Sequence, residues 1–526
     1  MLNAYVIESQ DDRDISSLAE LENLESEIAL VFGKLKLGDV LYSLYLLNKN
    51  CPELRPFMIG GLALFAIRFC PPSKTSQIIK SYDVRRLVNI SNNYYLADPT
   101  TFDQDLYDKF LGENPVFMML RGVSSQFPFE PGLFSEFSRP SLLFYEIPKQ
   151  LQNLPDIPKF DFDIKFRAIN KVSVIEFITI GFVIFSESLG SFAFNHDKFK
   201  KMRKQGINIS DQSLKAVLNQ LVADKSKLVE LYDKRKNKDR RFRMYDFNPL
   251  FTHPIIRPCQ NKQFSTPDND FIHAPVPKLV ASRISAGIFY QMFNTYGTEF
   301  SDYFGFVFER YVGLVLEKCL LSEHLLSELD IRSFYTAEKG KAPDWIIIDG
   351  STMLLFECKA TRFSRPAQAI ASENAIESSL AQVKKGLIQL ASFVSACQAK
   401  ISELQKIHHC STFKPILVSL EPLFLINCEL FRQYINTLLA AEGVTGLDWQ
   451  ILSIGELEAL QPHIAAGLNL AQVLDELRNK SLNDVLENLI SQTNRTFADS
   501  FLYDKQKELY QRLGIPETEA PRRKSR

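Results

Sequence analysis

Three charged residues bound an otherwise apolar segment, PDWIIIDGSTMLLFECKATRF (Pro343–Phe363): Asp344, Glu357 and Lys359. Two β-rich runs, Trp345–Ile348 and Met353–Phe356, flank a four-residue break. Gly350-Ser351 fits a two-residue hairpin loop with Gly at its first position. That loop makes Asp349 face Thr352 and brings Asp344 directly opposite Glu357. Alternation along the strand puts Glu357 and Lys359 on one face and Cys358 on the other. A loop at Asp349-Gly350 would instead oppose Asp344 to Leu355. The first register is preferred because it gathers the charges.

Gathering them is costly. Like charges facing each other across strands are destabilising. At ~5 Å and an effective dielectric of 20, two carboxylates repel by roughly 3 kcal/mol. A divalent cation between them reverses the sign, and hard cations such as Mg2+ take carboxylate and carbonyl oxygens. Lys359 on the same face can stabilise a phosphate and hold a water. The pattern therefore suits metal-assisted phosphoester chemistry. Read alone, it also suits strand-end charges that reach solvent, with Lys359 paired to one of them.

The stretch resembles the active-site hairpin of the PD-(D/E)xK nuclease superfamily, with Pro343-Asp344 followed by Glu357-Cys358-Lys359. That group includes restriction endonucleases and Holliday-junction resolvases. The resemblance implies a core of helix, three strands, helix and strand. Candidates are a helix over Gly305–Leu320, a short strand at Ile331–Tyr335, the hairpin, a long helix over Gln368–Val394 and a strand at Pro415–Leu420. A later strand, Trp449–Ser453, leads into GELEAL. It implies a metal-dependent phosphodiester hydrolase using Mg2+, with Mn2+ as a substitute. Asp344, Glu357 and the backbone carbonyl of Cys358 would hold the metal, and Lys359 would orient the attacking water.

Two further elements match that pattern. In FGFVFERYVGLVLEKCL, Glu309 has Phe306 at i−3, Val312 at i+3 and Leu316 at i+7, so it lies on an apolar stripe. The resemblance implies that Glu309 completes the metal site. A rim Glu salt-bridged to a neighbour is the alternative. In AQVKKGLIQL, Gln382 and Gln389 are seven apart and share a face, with Lys385 nearby. The resemblance implies that Gln382 and Lys385 stand near the substrate. Surface solvation explains them equally well.

The rest of the chain must position or feed this site. Its 526 residues are 45% hydrophobic and 23% charged, with a net charge of −1, so any phosphate binding comes from local patches. The eight cysteines form no CxxC pair and read as reduced thiols. His408-His409-Cys410 is the only tight cluster of soft ligands, without a partner motif for zinc. The N-terminus lacks a signal pattern, and the longest apolar runs, Phe57–Ile67 and Val174–Phe185, are short of the ~20 residues that span a bilayer. A soluble cytoplasmic protein without membrane association is expected.

The expected fold class is multidomain: a mainly α N-terminal half and an α/β, restriction-endonuclease-like domain with a mixed sheet flanked by helices. Residues 1–144 read as a helical domain, with Leu24–Leu47 at helical spacing. Residues 161–253 read as a winged-helix-like basic unit. Ser210 or Asp211 would cap a helix to Ala223, and KLVELYD and RFRMYDF would be strands of a wing. The tip, KRKNKDRRFR, holds seven basic residues and one acid. Arg235, Lys236, Arg240 and Arg241 are its candidate nucleic-acid contacts, to phosphates rather than bases. A solvated charged loop is the plain alternative. Five prolines make 254–278 read as a linker or extended wrap, 279–460 as the nuclease domain, 461–514 as a helical extension, and 515–526 as a disordered tail.

The expected partner is nucleic acid, DNA ahead of RNA, in bacterial defence, restriction or repair. A homodimer or partner subunit fits an enzyme that nicks two strands. A catalytically silent nuclease-fold subunit that binds DNA or assembles a complex is the competing expectation.

Overall fold

The computed structural model describes residues 15–50, 56–72, 77–97, 103–108, 135–155, 157–257, 271–319, 325–336, 338, 340–361, 373–423, 427–478 and 480–515. Near the N-terminus, α1 (Leu18–Gly33), α2 (Leu37–Asn50), α3 (Pro56–Phe69) and α4 (Ser81–Leu96) share one apolar core. Leu21, Leu24, Ile28 and Phe32 supply the buried stripe of α1, and Ser17 caps it by accepting from Glu20 N. The stretch Leu24–Leu47, read at helical spacing, is helical and divided between α1 and α2. The 1–144 unit is helical in most of its described part, and residues 109–134 lie outside it.

The apolar run at Val174 forms α5 (Val174–Gly190). Glu176, the charge inside that run, is its capping-box partner to Ser173. Among the described residues no single helix is long and apolar enough to cross a membrane. The pair Phe162–Asn170 and Val174–Gly190 passes by composition but is bent by 54°. Most of α5 is buried in the main core.

The expected wing is absent. Ser210 does cap α6 (Asp211–Leu221). KLVELYD, however, lies in a helix, α7 (Lys225–Arg235), capped by Asp224. Its buried residues, Leu228 and Tyr232, are four apart, a helical spacing that wins over strand propensity. RFRMYDF opens as a 3-10 helix, Arg240–Tyr245, capped by Asp239. There Phe242 and Met244 are buried two apart, which imitates strand alternation in the sequence.

The proline-rich stretch is not a free linker at its ends. It contributes β3 (Ile255–Arg257) and β4 (Ile272–His273) to a four-stranded sheet with β1 (Ala193–Phe194) and β2 (Val222–Asp224), in the order β1-β4-β3-β2. Ile255, Ile256 and Ile272 are buried there. Residues 258–270 lie outside the described part, as does the tail beyond Ile515.

The second sheet carries the charged hairpin. Its strands are β5 (Leu325–Ser327), β6 (Trp345–Asp349), β7 (Thr352–Lys359), β8 (Thr412–Ser419) and β9 (Gln450–Ser453), in that spatial order. Strands β5, β6 and β7 form an antiparallel meander, and β8 and β9 continue it in parallel. Both faces are covered, so the strands read as nearly continuous apolar runs. Trp345, Ile347, Leu354 and Phe356 join the core with Val312, Val315 and Leu316 of α9 (Ala286–Cys319). Ile346, Met353 and Leu355 join the core with Val383, Leu387 and Leu390 of α11 (Glu373–Gln398). Helix α9 follows α8 (Pro277–Ile284) and is kinked at Gly297.

One expected element differs. Ile331 lies in a short helix, α10 (Glu328–Arg332), because Ser327 and Asp330 form a capping box directly after β5. The first strand of the meander is β5 instead. Beyond β9, α12 (Ile454–Ile464) and further helices to α13 (Phe501–Arg512) pack into the core that holds α5 and α9. Arg139, Glu458 of α12 and Tyr311 of α9 form a buried ion-pair and hydrogen-bond network that ties these parts together.

Candidate metal centre

The hairpin has the charge-gathering register. Asp349 pairs with Thr352 and Trp345 with Phe356, so the next pair outward is Asp344 with Glu357. Gly350 takes φ +59° at the first loop position, where a side chain would be strained. Asp344 lies just before β6, and its Oδ2 accepts from the Cys358 amide at 2.6 Å. Its own carbonyl accepts from Glu328 N at 2.8 Å. The end of β6 is therefore fixed from both neighbouring strands.

Helix α9 brings Glu309 to the same point. The Trp345 indole Nε1 donates to the Glu309 carbonyl at 3.1 Å. Gly313 makes this approach possible, since a Cβ there would stand 2.0 Å from the Trp345 ring. Carboxylate oxygens of Glu309, Glu328 and Asp344 all lie within 4.8 Å of one another. Among the described residues this is the group of His, Cys, Asp and Glu with metal-ligand spacing. His408-His409-Cys410 does not form one. His408 Nε2 instead lies 2.9 Å from the carbonyl of Ile401.

Glu357 and Lys359 project from β7 toward α11. Glu357 is fully buried. Its Oε1 pairs with Lys359 Nζ, and its Oε2 accepts from Gln389 Nε2 at 2.9 Å. Gln389 also donates to the Ala342 carbonyl at 3.1 Å, which ties α11 to the start of β6. Gly386 leaves the room, as a Cβ there would lie 3.2 Å from Glu357 Cγ and 3.4 Å from Lys359 Cε.

The electrostatics follow from burial and crowding. Burial pushes Asp344 up to about 6, against the pull of Lys359 and the Cys358 amide. Burial and the neighbouring carboxylates push Glu309 and Glu357 up to about 8. Burial opposes the charge on Lys359, but Glu357 and Asp344 outweigh it and raise its pKa. The Cys358 thiol is pushed up by burial and by the same acids.

The site residues expected from the sequence divide into three sets. Asp344, Glu357, Lys359 and Glu309 converge, although Glu357 is engaged by Lys359 and Gln389 rather than belonging to the triad of closest oxygens. Cys358 meets Asp344 through its amide, which donates to the carboxylate. Gln382 and Lys385 are exposed on α11, and it is Gln389, two turns on from Gln382, that reaches the site by donating to Glu357. The basic tip does not join the site. Lys236 pairs with Asp233 at 2.9 Å, Arg240 with Glu22 at 2.7 Å, and Arg241 with Asp239 at 2.7 Å and with Asp103. Arg235 lies over the Phe247 ring at 4.7 Å.

No family model matches the chain, and neither a curated protein nor a solved structure matches it.

Glu328 is the residue that sequence reading missed. It opens α10 directly after β5, where Ser327 pairs with Trp345. Nothing in the local sequence marks it apart from an ordinary first-turn acid. Only the register of β5 against β6 brings it to Asp344. Arg332 holds it in place at 3.1 Å.

Proposed function

We propose that this chain is a Mg2+-dependent nuclease that hydrolyses phosphodiester bonds, with DNA as the favoured substrate. The observation that carries this reading is the convergence of Glu309, Glu328 and Asp344 beside the Glu357–Lys359 pair. The succession of helix, antiparallel meander, helix and parallel strand is the order that the PD-(D/E)xK resemblance implies, and it supports a restriction-endonuclease-like domain here.

The donor set fits a hard cation. Oxygens on opposite sides of Mg2+ are ~4.2 Å apart, and the three carboxylates already lie within 4.8 Å of one another. They are half-buried, and Glu309 and Asp344 are held above their ordinary pKa range, a cost that a divalent cation removes. Asp344, Glu309 and Glu328 would hold it. Bound there, Mg2+ or Mn2+ polarises a phosphodiester and lowers the pKa of a water.

The chain's own residues do the rest. Glu357 anchors the Lys359 ammonium through a direct ion pair, and Gln389 holds Glu357 in that orientation. Lys359 orients the water and offsets charge developing on the phosphate. The Cys358 amide fixes the Asp344 carboxylate. Incubation of the protein with plasmid, linear DNA and RNA tests this reading. Cleavage in Mg2+ that stops in EDTA is expected, and cleavage that persists in EDTA overturns the carboxylate-site account.

A further inference from the structure

Arg283, in α8, is 5% exposed, yet among the described residues no carboxylate pairs with it. Its Nε donates to the Thr252 carbonyl at 3.2 Å and its Nη2 to Gln291 Oε1 at 3.1 Å, both neutral acceptors. The guanidinium lies 5.2 Å from the Phe177 ring centre. Nη1 is buried and has no hydrogen-bond partner. Buried cations are nearly always paired, because an isolated one is costly to desolvate.

The unsatisfied Nη1 lies at the start of a long helix. It is 3.6 Å from where a Cβ on Gly287 would be. Ala286 and Gly287 open α9, and Ala286 is exposed. Ile288 N is bonded back to Ser285 O at 3.0 Å, and Ala286 and Gly287 are the first two residues of the helix, where amides have no partner within it. A helix N-terminus carries about half a positive charge. Here it stands over a full one, with no glycine side chain between them.

The surroundings add cations. The His253 ring, next to Thr252, feels Lys227, Arg283 and Arg235 and no acid. Lys227 and Arg235 are exposed two turns apart on α7, so they form the outer rim. Arg235 thus belongs to this basic region rather than to a wing.

We propose that the α8–α9 junction binds a phosphate group, held by the Arg283 guanidinium and the first-turn amides of Ala286 and Gly287. Lys227 and Arg235 attract it from solvent. The site uses none of the Asp344 cluster, so it stands or falls independently of the nuclease reading. A phosphate that reaches Nη1 parts Gly287 from the guanidinium and supplies the missing counter-charge.

The test is thermal unfolding of the whole chain in EDTA, titrated with inorganic phosphate in one arm and ATP in the other. Saturable stabilisation is expected. Stabilisation by both assigns a simple phosphate site, and by ATP alone a nucleotide site. Arg283→Met should weaken binding at least about tenfold while leaving the ligand-free Tm unchanged or higher, since it removes an uncompensated buried charge. The double variant Lys227→Ala/Arg235→Ala, at two exposed positions, should weaken binding several-fold. The proposal is overturned if neither ligand stabilises saturably, if the gain survives in Arg283→Met, if the double variant binds like the parent, or if Arg283→Met lowers the ligand-free Tm or fails to fold.

Discussion

The carboxylate hairpin and the basic stretch Lys234–Arg243 are both conspicuous charge clusters, and the fold treats them in opposite ways. Most of the basic stretch is neutralised in place. Its side chains reach Asp233, Asp239, Glu230, Glu22 and Glu25, partly across to α1. The hairpin cannot do this. Its acids are fixed at a buried strand end and on two helices, where Glu309, Glu328 and Asp344 face one another; Arg332 pairs with Glu328 and Lys359 with Glu357, yet Glu309 and Asp344 are still held above their ordinary pKa range. Exposed charges on long, mobile side chains find counter-ions at little cost. Charges held by a covered sheet keep their repulsion, and that repulsion is what a divalent cation relieves.

The largest expected effect follows from removing a ligand. Asp344→Asn should abolish tight Mn2+ binding by calorimetry and with it Mg2+-dependent cleavage. The fold should remain, because little core area is lost. Normal Mn2+ affinity in this variant would break the contrast between the two regions.

A sharper test sets Glu328 against Gln382. Glu328→Gln should weaken Mn2+ binding by about ten- to a hundredfold, the scale of losing a supporting ligand. Gln382→Ala, on the exposed face of α11, should leave binding unchanged. The reverse ranking would show that the meander register does not define the ligand set.

The repulsion itself is measurable as stability. Burial and crowding raise Glu309 and Glu357 to about 8, from a value of 4.5 in the unfolded chain. Folding therefore favours their protonated forms. In EDTA their contribution is greatest below the ordinary carboxylate range and is lost as pH rises toward 8. Glu309→Gln should raise the metal-free Tm at pH above ~8 and change it little near pH ~5. Mn2+ should raise the wild-type Tm most at the higher pH and the variant's much less.

The smallest effects belong to the basic stretch. Arg240→Ala and Arg241→Ala should each cost at most about 1 kcal/mol of stability, the scale of exposed ion pairs. They should also leave the salt dependence of DNA binding nearly unchanged, since their charges are already matched. A fall of about 0.9 in log–log slope per residue would show instead that they contact duplex phosphates.

The hairpin was legible because its loop, its alternation and its charges all specify one register. Gly350 and the parity between Asp344 and Glu357 are local facts, and local facts survive in sequence. Glu328 was not legible, because its place depends on how β5 pairs with β6. Gln389 shares a face with Gln382, and only the crossing of α11 over β7 decides which of the two reaches Glu357. The false wing arose from Phe242 and Met244, whose spacing fits a strand as well as the 3-10 helix they occupy. The proline-rich stretch misled for a related reason, since Ile255, Ile256 and Ile272 are buried by strand pairing that prolines alone do not reveal.

The claim that the hairpin is a hydrolytic centre rests most directly on Lys359. Its ammonium sits beside the triad of acids without belonging to it, so its removal separates chemistry from metal binding. The decisive measurement is the single-turnover rate of plasmid cleavage by Lys359→Ala at saturating Mg2+. A fall of at least about a hundredfold is predicted, the scale of losing one preorganised charge at a reacting phosphate, with Mn2+ affinity retained. Cleavage at the wild-type rate would contradict the account.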